Sequence, residues 1–368
     1  MRTDGIFRAT TLAVAVLAGG SFALDTVTTV SDGPFVFWEP EGRARVVALC
    51  DGEKVERVVE ATGGFTLNVG CLGLPAVRIE ADPPAPDAAE FTGVQRFLAI
   101  GDVHGEYDAA LELLRAAGVI DDEHRWAFGD GHVIFNGDVL DRGARVTESL
   151  WLIYRLEREA RRTGGRVHLV LGNHELMALG GDLRYVVDKY LKDVVPALGM
   201  EYAQLFGPET ELGRWLRTRN TLVKINGLLF AHAGVSSDVA ELDLSIDEIN
   251  TLVRRGFDVK RGDLESDPTL HLLRGVRGPL WYRGYFMGIS GYDLATDDVI
   301  QSVLDRFGAK CVVVAHTTVV EIGPSHGGRV IAIDVPMSDD VGAQGLLFTD
   351  GQFFAIDSRG QRRKIQID

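Results

Sequence analysis

Five separated apolar runs in this 368-residue chain each stop abruptly at a polar donor, and that recurrence constrains the fold more than any other feature. RFLAIGD (96–102) ends in Asp102, with His104 two residues on. HVIFNGD (132–138) ends in Asp138 and leads into Asp141-Arg142-Gly143. RVHLVLGN (166–173) ends in Asn173 and continues as His174-Glu175. LLFAHAG (228–234) carries His232, and KCVVVAHT (310–317) carries His316. Short apolar runs bounded by glycine and followed by helical patterns such as EYDAALELLRAAGVI read as buried strands that alternate with helices. RVIAIDV (329–335) and the tail hairpin GLLFTDGQFFAID (345–357) complete the strands. The expected fold is α/β, with stacked sheets flanked by helices.

A lone histidine at a strand end is usually hydrogen-bonded structure. A Gly-Asp corner is usually only a turn, as GDG at 129–131 between WAF and HVIF shows. Several strands ending in such donors are different, because sheets of this kind place their sites beyond the strand ends. Asp102, His104, Asp138, Asn173, His232 and His316 offer oxygen and imidazole donors with no thiolate among them. That set suits Mn²⁺, Fe or Zn²⁺ rather than an all-oxygen Ca²⁺ or Mg²⁺ cage, with Mn²⁺ favoured. If one carboxylate bridges, the donors can serve two ions, and ions about 3.5–4 Å apart clamp an in-line displacement at phosphorus. Two divalent ions against two carboxylates and one hydroxide leave a positive centre, a seat for phosphate. The chain around it carries a net charge of -15 and a pI near 5.1. That balance argues against nucleic acid as a partner.

The N-terminus reads as an export signal over residues 1–23. Arg2 and Arg8 flank a charged start that also holds Asp4, ATTLAVAVLAGG (9–20) is too short to span a bilayer, and Ser21-Phe22-Ala23 supplies a cleavage point. The expected location is periplasmic or secreted, with no lipid anchor and no membrane span. Residues 24–80 read as a small β domain of short strands and Gly-punctuated turns, and ADPPAPDAAE (81–90) as a linker. Residues 91–368 read as a second, larger domain that carries the donor-bearing strands. Cys50 and Cys71 fall at strand ends in the β domain, where they either pair or stay as buried thiols; Cys311 sits in a core strand and reads as inert.

Together GDVHG (101–105), GDVLDRG (137–143), GNHE (172–175), HAG (232–234) and AHT (315–317) resemble the phosphoprotein phosphatase branch of the calcineurin-like metallophosphoesterases. The contexts GNHELMALGGDLRYV (172–186) and GPLWYRGYF (278–286) resemble the bacterial Shewanella-like protein phosphatases. The resemblance implies a four-layer αββα sandwich with the small β domain in front. It implies that Asp102 and His104 hold a first metal, Asp138 bridges, and Asn173, His232 and His316 hold a second. His174 would be the general acid, Asp141 its orienting partner, and Arg142 the phosphate grip. A metal-bridging hydroxide would attack phosphorus directly, with no phosphoenzyme. HAG and AHT each carry an alanine where the family favours glycine, which implies tuning rather than loss. Arg283, with Arg277 as competitor, is the candidate for a second phosphate-binding arginine. Tyr282 is a candidate substrate contact and, with Tyr285, is expected to line the cleft rim.

His124, His132, His168, His271 and His326 read as structural or surface residues, with His326 beside a hairpin turn. The helical insertion 182–219, with Tyr185, Tyr190, Tyr202 and Trp215, either caps the site or only packs. Three functions fit: a metal-dependent phosphatase of phosphorylated proteins or peptides (phosphotyrosine, phosphoserine or phosphothreonine), a dinucleoside polyphosphate or nucleotide hydrolase, and a non-catalytic phosphate-binding protein. The presence of Asp141, Arg142 and His174 together weighs against the third.

Overall fold

The computed structural model describes residues 29–259, 263, 266–338 and 340–367; the expected signal segment, 1–23, lies outside the described residues. The chain opens with an antiparallel sheet of β1 (Asp32–Glu39), β2 (Arg43–Cys50) and β3 (Glu53–Glu60), then a two-stranded pair, β4 (Phe65–Leu67) and β5 (Val77–Ile79). A disulfide joins Cys50 at the end of β2 to Cys71 beyond β4, which settles the pairing that composition left open.

Two six-stranded sheets follow. Their strands are β6 (Glu90–Phe91), β7 (Phe97–Ile100), β8 (His132–Phe135), β9 (Arg166–Leu169), β10 (Leu222–Ile225), β11 (Leu228–Ala231), β12 (Cys311–Val314), β13 (Gly323–Ser325), β14 (Val330–Ala332), β15 (Gln344–Thr349), β16 (Gln352–Asp357) and β17 (Arg362–Ile365). One sheet runs β17-β16-β15-β7-β8-β9 and the other β13-β14-β12-β11-β10-β6. Within them β7, β8 and β9 are mutually parallel, as are β11, β12 and β14.

Side chains alternate along these strands as a pleated backbone requires. Phe97, Ala99, Ile134, Phe230 and Val313 belong to the apolar layer between the sheets. Leu98, Ile100, Val133, Phe135, Val312 and Val314 belong to the outer core, shared with α1 (Tyr107–Ala116) and α2 (Val146–Arg161). Each such fully buried side chain contributes about 1.5–3 kcal/mol relative to exposure. This is the expected sandwich of two sheets between helices. Cys311 lies in the inner layer, where burial pushes its thiol up to about 12.

The N-terminal β unit does not stand apart on a free linker. Its Phe35, Val47 and Ile79 belong to the same core as Leu150 and Trp215 of the catalytic part. Trp151 Nε1–H donates to the Pro34 carbonyl (2.9 Å), and Trp38 Nε1–H to Glu211 (2.8 Å). Buried Asp32 forms an ion pair with Lys189. The Pro- and Ala-rich stretch 81–90 is pinned as well: Asp87 pairs with Arg161, and Glu90 already belongs to β6.

Candidate metal centre

All five donor-bearing loops leave the carboxyl ends of parallel strands, three from one sheet and two from the other, so the donors meet where both sheets end. The backbone there is strained. His104, Asp138, Asp141, Arg142 and His316 all have φ between 46° and 67°, the left-handed region that non-glycine residues seldom occupy. Close approach also demands glycine: a Cβ on Gly137 would collide with the His232 ring, and one on Gly172 with the Asp138 carboxylate.

Asp138 is the hub. Its Oδ2 lies 3.1 Å from His232 Nε2, 3.8 Å from His174 Nε2 and 3.9 Å from His104 Nε2. Asn173 Oδ1 is 3.2 Å from His232 Nε2, and Asp102 Oδ2 is 3.7 Å from His104 Nε2. The His316 amide donates to Asp102 Oδ1 (3.2 Å). Two groups, His104–Asp138–His174 and Asp138–His232–His316, bring their ligand atoms within 4.8 Å of one another. The six donors predicted from the sequence are therefore gathered at one place, with Asp138 common to both groups.

The residues fit cations on electrostatic grounds. His104 Nε2 and His316 Nε2 are buried atoms without a hydrogen-bond partner. His104 turns its other nitrogen, Nδ1, to the Leu140 carbonyl (2.8 Å), which fixes the ring orientation. Burial, reinforced by neighbouring His174 for His104 and by His232 for His316, lowers these imidazoles to about 4 and about 2, leaving free lone pairs. Burial and the neighbouring Asp138 charge push the Asp102 carboxyl well above the usual carboxylate range. Burial opposes charge on His232, but Asp138 and Asp102 outweigh it and raise it to about 10. Carboxylates crowded together in a buried site ask for positive charge, which divalent cations supply.

Beside the donors stands the acid–base pair. His174 Nδ1 is 2.8 Å from Asp141 Oδ2, and the His174 amide donates to Asp138 Oδ1 (3.0 Å). Arg142 exposes its guanidinium, with Nη2 3.5 Å from His174 Nε2. Arg283 Nη1–H donates to the His316 carbonyl (2.8 Å) and Thr317 Oγ1 (3.2 Å), whereas Arg277 is committed to Asp238 and the Gly291 carbonyl. Of the two candidates, Arg283 is the one that touches a metal-ligand loop.

The expectation for Tyr282 and Tyr285 is corrected. Neither stands on an exposed rim: they are 4% and 1% exposed and pack edge to face on each other. Gly234, lacking a side chain, lets both rings close against the loop that carries His232. The Tyr285 hydroxyl donates to the Val235 carbonyl (2.8 Å) and accepts from the Val235 amide (3.2 Å), so this corner supports that loop. Ala233 and Ala315 are each 1% exposed and accommodated where the family favours glycine.

Three contributors went unassigned in the sequence. Glu175, fully buried, accepts from the amides of Gly172, Asp138, Val139 and Leu140 at 2.7–3.2 Å, clamping two ligand loops together at the start of α3 (Asn173–Leu179). Asn136 donates to the Ala231 and Val313 carbonyls of the facing sheet, and its own carbonyl faces His232 Nδ1 at 2.8 Å. Asp334, just past β14, is 5% exposed and accepts from Thr318 Oγ1 (3.0 Å). The run RVIAID ends in an acid as the ligand strands do, which was a readable signal.

Buried aspartate and histidine donors around one shared carboxylate, with a carboxylate-oriented histidine and an exposed arginine alongside, make the centre of a metal-dependent phosphoesterase. The family profile of the calcineurin-like phosphoesterases matches residues 95–320, and the chain belongs to that family. Among its relatives, Shewanella-like protein phosphatase 1 of Plasmodium berghei is 28% identical over 246 residues, covering 66% of this chain and 67% of that protein. Shewanella-like protein phosphatase 2 of Arabidopsis thaliana is 43% identical over 103 residues, 28% of this chain and 26% of that one. The crystal structure of the cold-active protein-tyrosine phosphatase of a psychrophilic Shewanella species superposes with a TM-score of 0.85. It is 34% identical, with 92% of this chain and 100% of that one covered.

Proposed function

We propose that this chain is a phosphatase of phosphorylated proteins or peptides, with phosphotyrosine the favoured residue, loaded with Mn²⁺ and acting outside the cytoplasm. The observation that carries it is the triangle of Asp138, His174 and Asp141 beside an exposed Arg142. The full-length similarity to a protein-tyrosine phosphatase supports the substrate class.

Two cations held by Asp102, His104, Asp138, Asn173, His232 and His316 would polarise a phosphoryl oxygen and acidify a water. The chain's own residues do the rest. Arg142 presents a planar fork of donors to the phosphate oxygens. Asp141 accepts from His174 Nδ1 and holds the ring so that Nε2 faces the reacting phosphorus. As the water oxygen bonds to phosphorus and the ester bond breaks, Nε2 gives its proton to the leaving oxygen.

Export is supported by the charged and apolar character of residues 1–23 and by the Cys50–Cys71 disulfide, a bond that persists in oxidising compartments. Cell fractionation and N-terminal sequencing of the mature protein test it; a cytosolic chain starting at Met1 overturns it.

For the activity, the protein is chelated, reconstituted with Mn²⁺, and assayed on phosphotyrosine peptide, phosphoserine peptide and diadenosine tetraphosphate. Phosphopeptide turnover that vanishes in His174→Asn and Asp138→Asn supports the reading. Preference for the dinucleotide moves the protein to anhydride hydrolysis, for which a 32% identical segment shared with a symmetrical bis(5'-nucleosyl)-tetraphosphatase of Cronobacter sakazakii is the precedent.

A further inference from the structure

Tyr185 is the most exposed aromatic side chain among the described residues, at 44%. The other aromatics of its insertion are buried: Tyr190, Tyr202 and Trp215 are 1%, 2% and 0% exposed. A single exposed apolar group is ordinary on a protein surface. The place where this one stands is not. Its ring centroid is 5.0 Å from that of His174, tilted by 53°. The Arg142 guanidinium carbon lies 5.5 Å from the same centroid. The Tyr185 carbonyl also accepts the Arg142 amide (2.9 Å), so the backbone latches the ring to the phosphate-gripping loop. Leu183, 39% exposed, adds apolar surface two residues away.

One part of the ring is thus committed to the two groups that would handle the leaving oxygen and the phosphate. The Arg184 guanidinium carbon lies 5.8 Å from the same centroid, and the rest of the ring, which is 44% exposed, faces solvent. We propose that Tyr185 is a specificity-determining residue, its open ring surface receiving the aromatic ring of a phosphotyrosine whose phosphate lies under Arg142. Phosphotyrosine carries its planar ring directly on the leaving oxygen, so a ring beside His174 meets it in the offset or edge-on arrangements that aromatic pairs favour. Phosphoserine offers a single methylene at that position and gains little from the same surface. The exposed ring therefore discriminates between leaving groups rather than contributing to phosphate binding in general.

This rests on the phosphatase reading above, and the test keeps the two apart. The Mn²⁺-reconstituted full chain is assayed on two peptides of identical sequence that differ only in phosphotyrosine or phosphoserine, for wild type, Tyr185→Leu and Tyr185→Phe. The readout is the ratio of kcat/KM values on the two peptides. The expected result is a drop in that ratio of about tenfold in Tyr185→Leu, the upper range of one aromatic pair. Tyr185→Phe, which keeps the ring, holds the ratio within about twofold of wild type. A ratio unchanged in Tyr185→Leu overturns the proposal, whether both activities fall together or neither does, because the ring would then serve only to position Arg142 and His174. A ratio that collapses equally in Tyr185→Phe overturns it too, since the hydroxyl would be the determinant. Wild-type protein inactive on both peptides overturns the phosphatase reading itself.

Discussion

Asp141 Oδ2 lies 2.8 Å from His174 Nδ1, with the two side chains 0% and 2% exposed. A carboxylate so placed fixes which nitrogen of the ring faces the metal donors. Removing the acid should therefore hurt most where the leaving oxygen most needs a proton. His174→Asn is expected to lower kcat on phosphoserine peptide by about 10²–10⁴-fold. On p-nitrophenyl phosphate, whose leaving group departs without a proton, the loss should be about tenfold or less. Asp141→Asn should follow the same pattern more weakly. Equal losses on both substrates would show that His174 acts otherwise.

Metal removal should cost stability as well as activity, since Asp102 and Asp138 are left facing each other without a cation. The expected result of chelation is a lower Tm that Mn²⁺ restores, by about 2.7 kcal/mol when the free metal is a hundredfold above its Kd. Asp138→Asn, which removes the shared donor, should leave the purified protein with fewer than about one ion per chain by elemental analysis, against two for wild type.

Glu175 makes a structural prediction inside the same motif. Two of its four amide partners lose their acceptor oxygen in Glu175→Gln, and a buried amide left unpaired costs about 1–3 kcal/mol. The measurement is urea denaturation, with metal content followed in parallel, because both loops that Glu175 clamps carry ligands.

The Cys50–Cys71 bond spans a sequence separation of 21 residues. A loop of that size removes enough freedom from the unfolded chain to stabilise the fold by about 3 kcal/mol. Cys50→Ser/Cys71→Ser should show that loss in thermal denaturation while keeping its metal, since neither cysteine is near a ligand loop.

His132 and His168 give an acid dependence of their own. They lie 3.0 Å apart, packed edge-on against Phe91. Burial, aided by the charge of Arg166, lowers His132 from 6.5 to about 4. Between those values the unfolded chain binds a proton that the folded chain refuses, so stability falls as the pH drops from 6.5 towards 4. His132→Phe should flatten that part of the Tm–pH profile relative to wild type; an unchanged slope would exclude His132 as a cause.

Much of the site was legible because its donors follow apolar strands, where a polar residue stands out. The six candidate donors, His174 and Asp141 each sit within a few residues of such a boundary. Glu175 was harder to assign. It works through backbone amides 35–37 positions away, and nothing in its local sequence marks those partners. Tyr282 and Tyr285 were misjudged because whether an aromatic corner points in or out depends on the loop it meets, here one opened by Gly234. The composition of 81–90 reads as a linker, and the cation that Asp87 meets in Arg161 lies too far along the chain to be read with it. Tyr185 could be read as aromatic; that it alone of the aromatics of its insertion remains open to solvent depends on how the helical turns around it pack.

The bond from the His316 amide to Asp102 joins positions 214 residues apart. A chain still emerging from the ribosome has Asp102, His104 and Asp138 long before it has His316, so its set of donors stays incomplete until that residue is made. Loading with both ions is accordingly a late event.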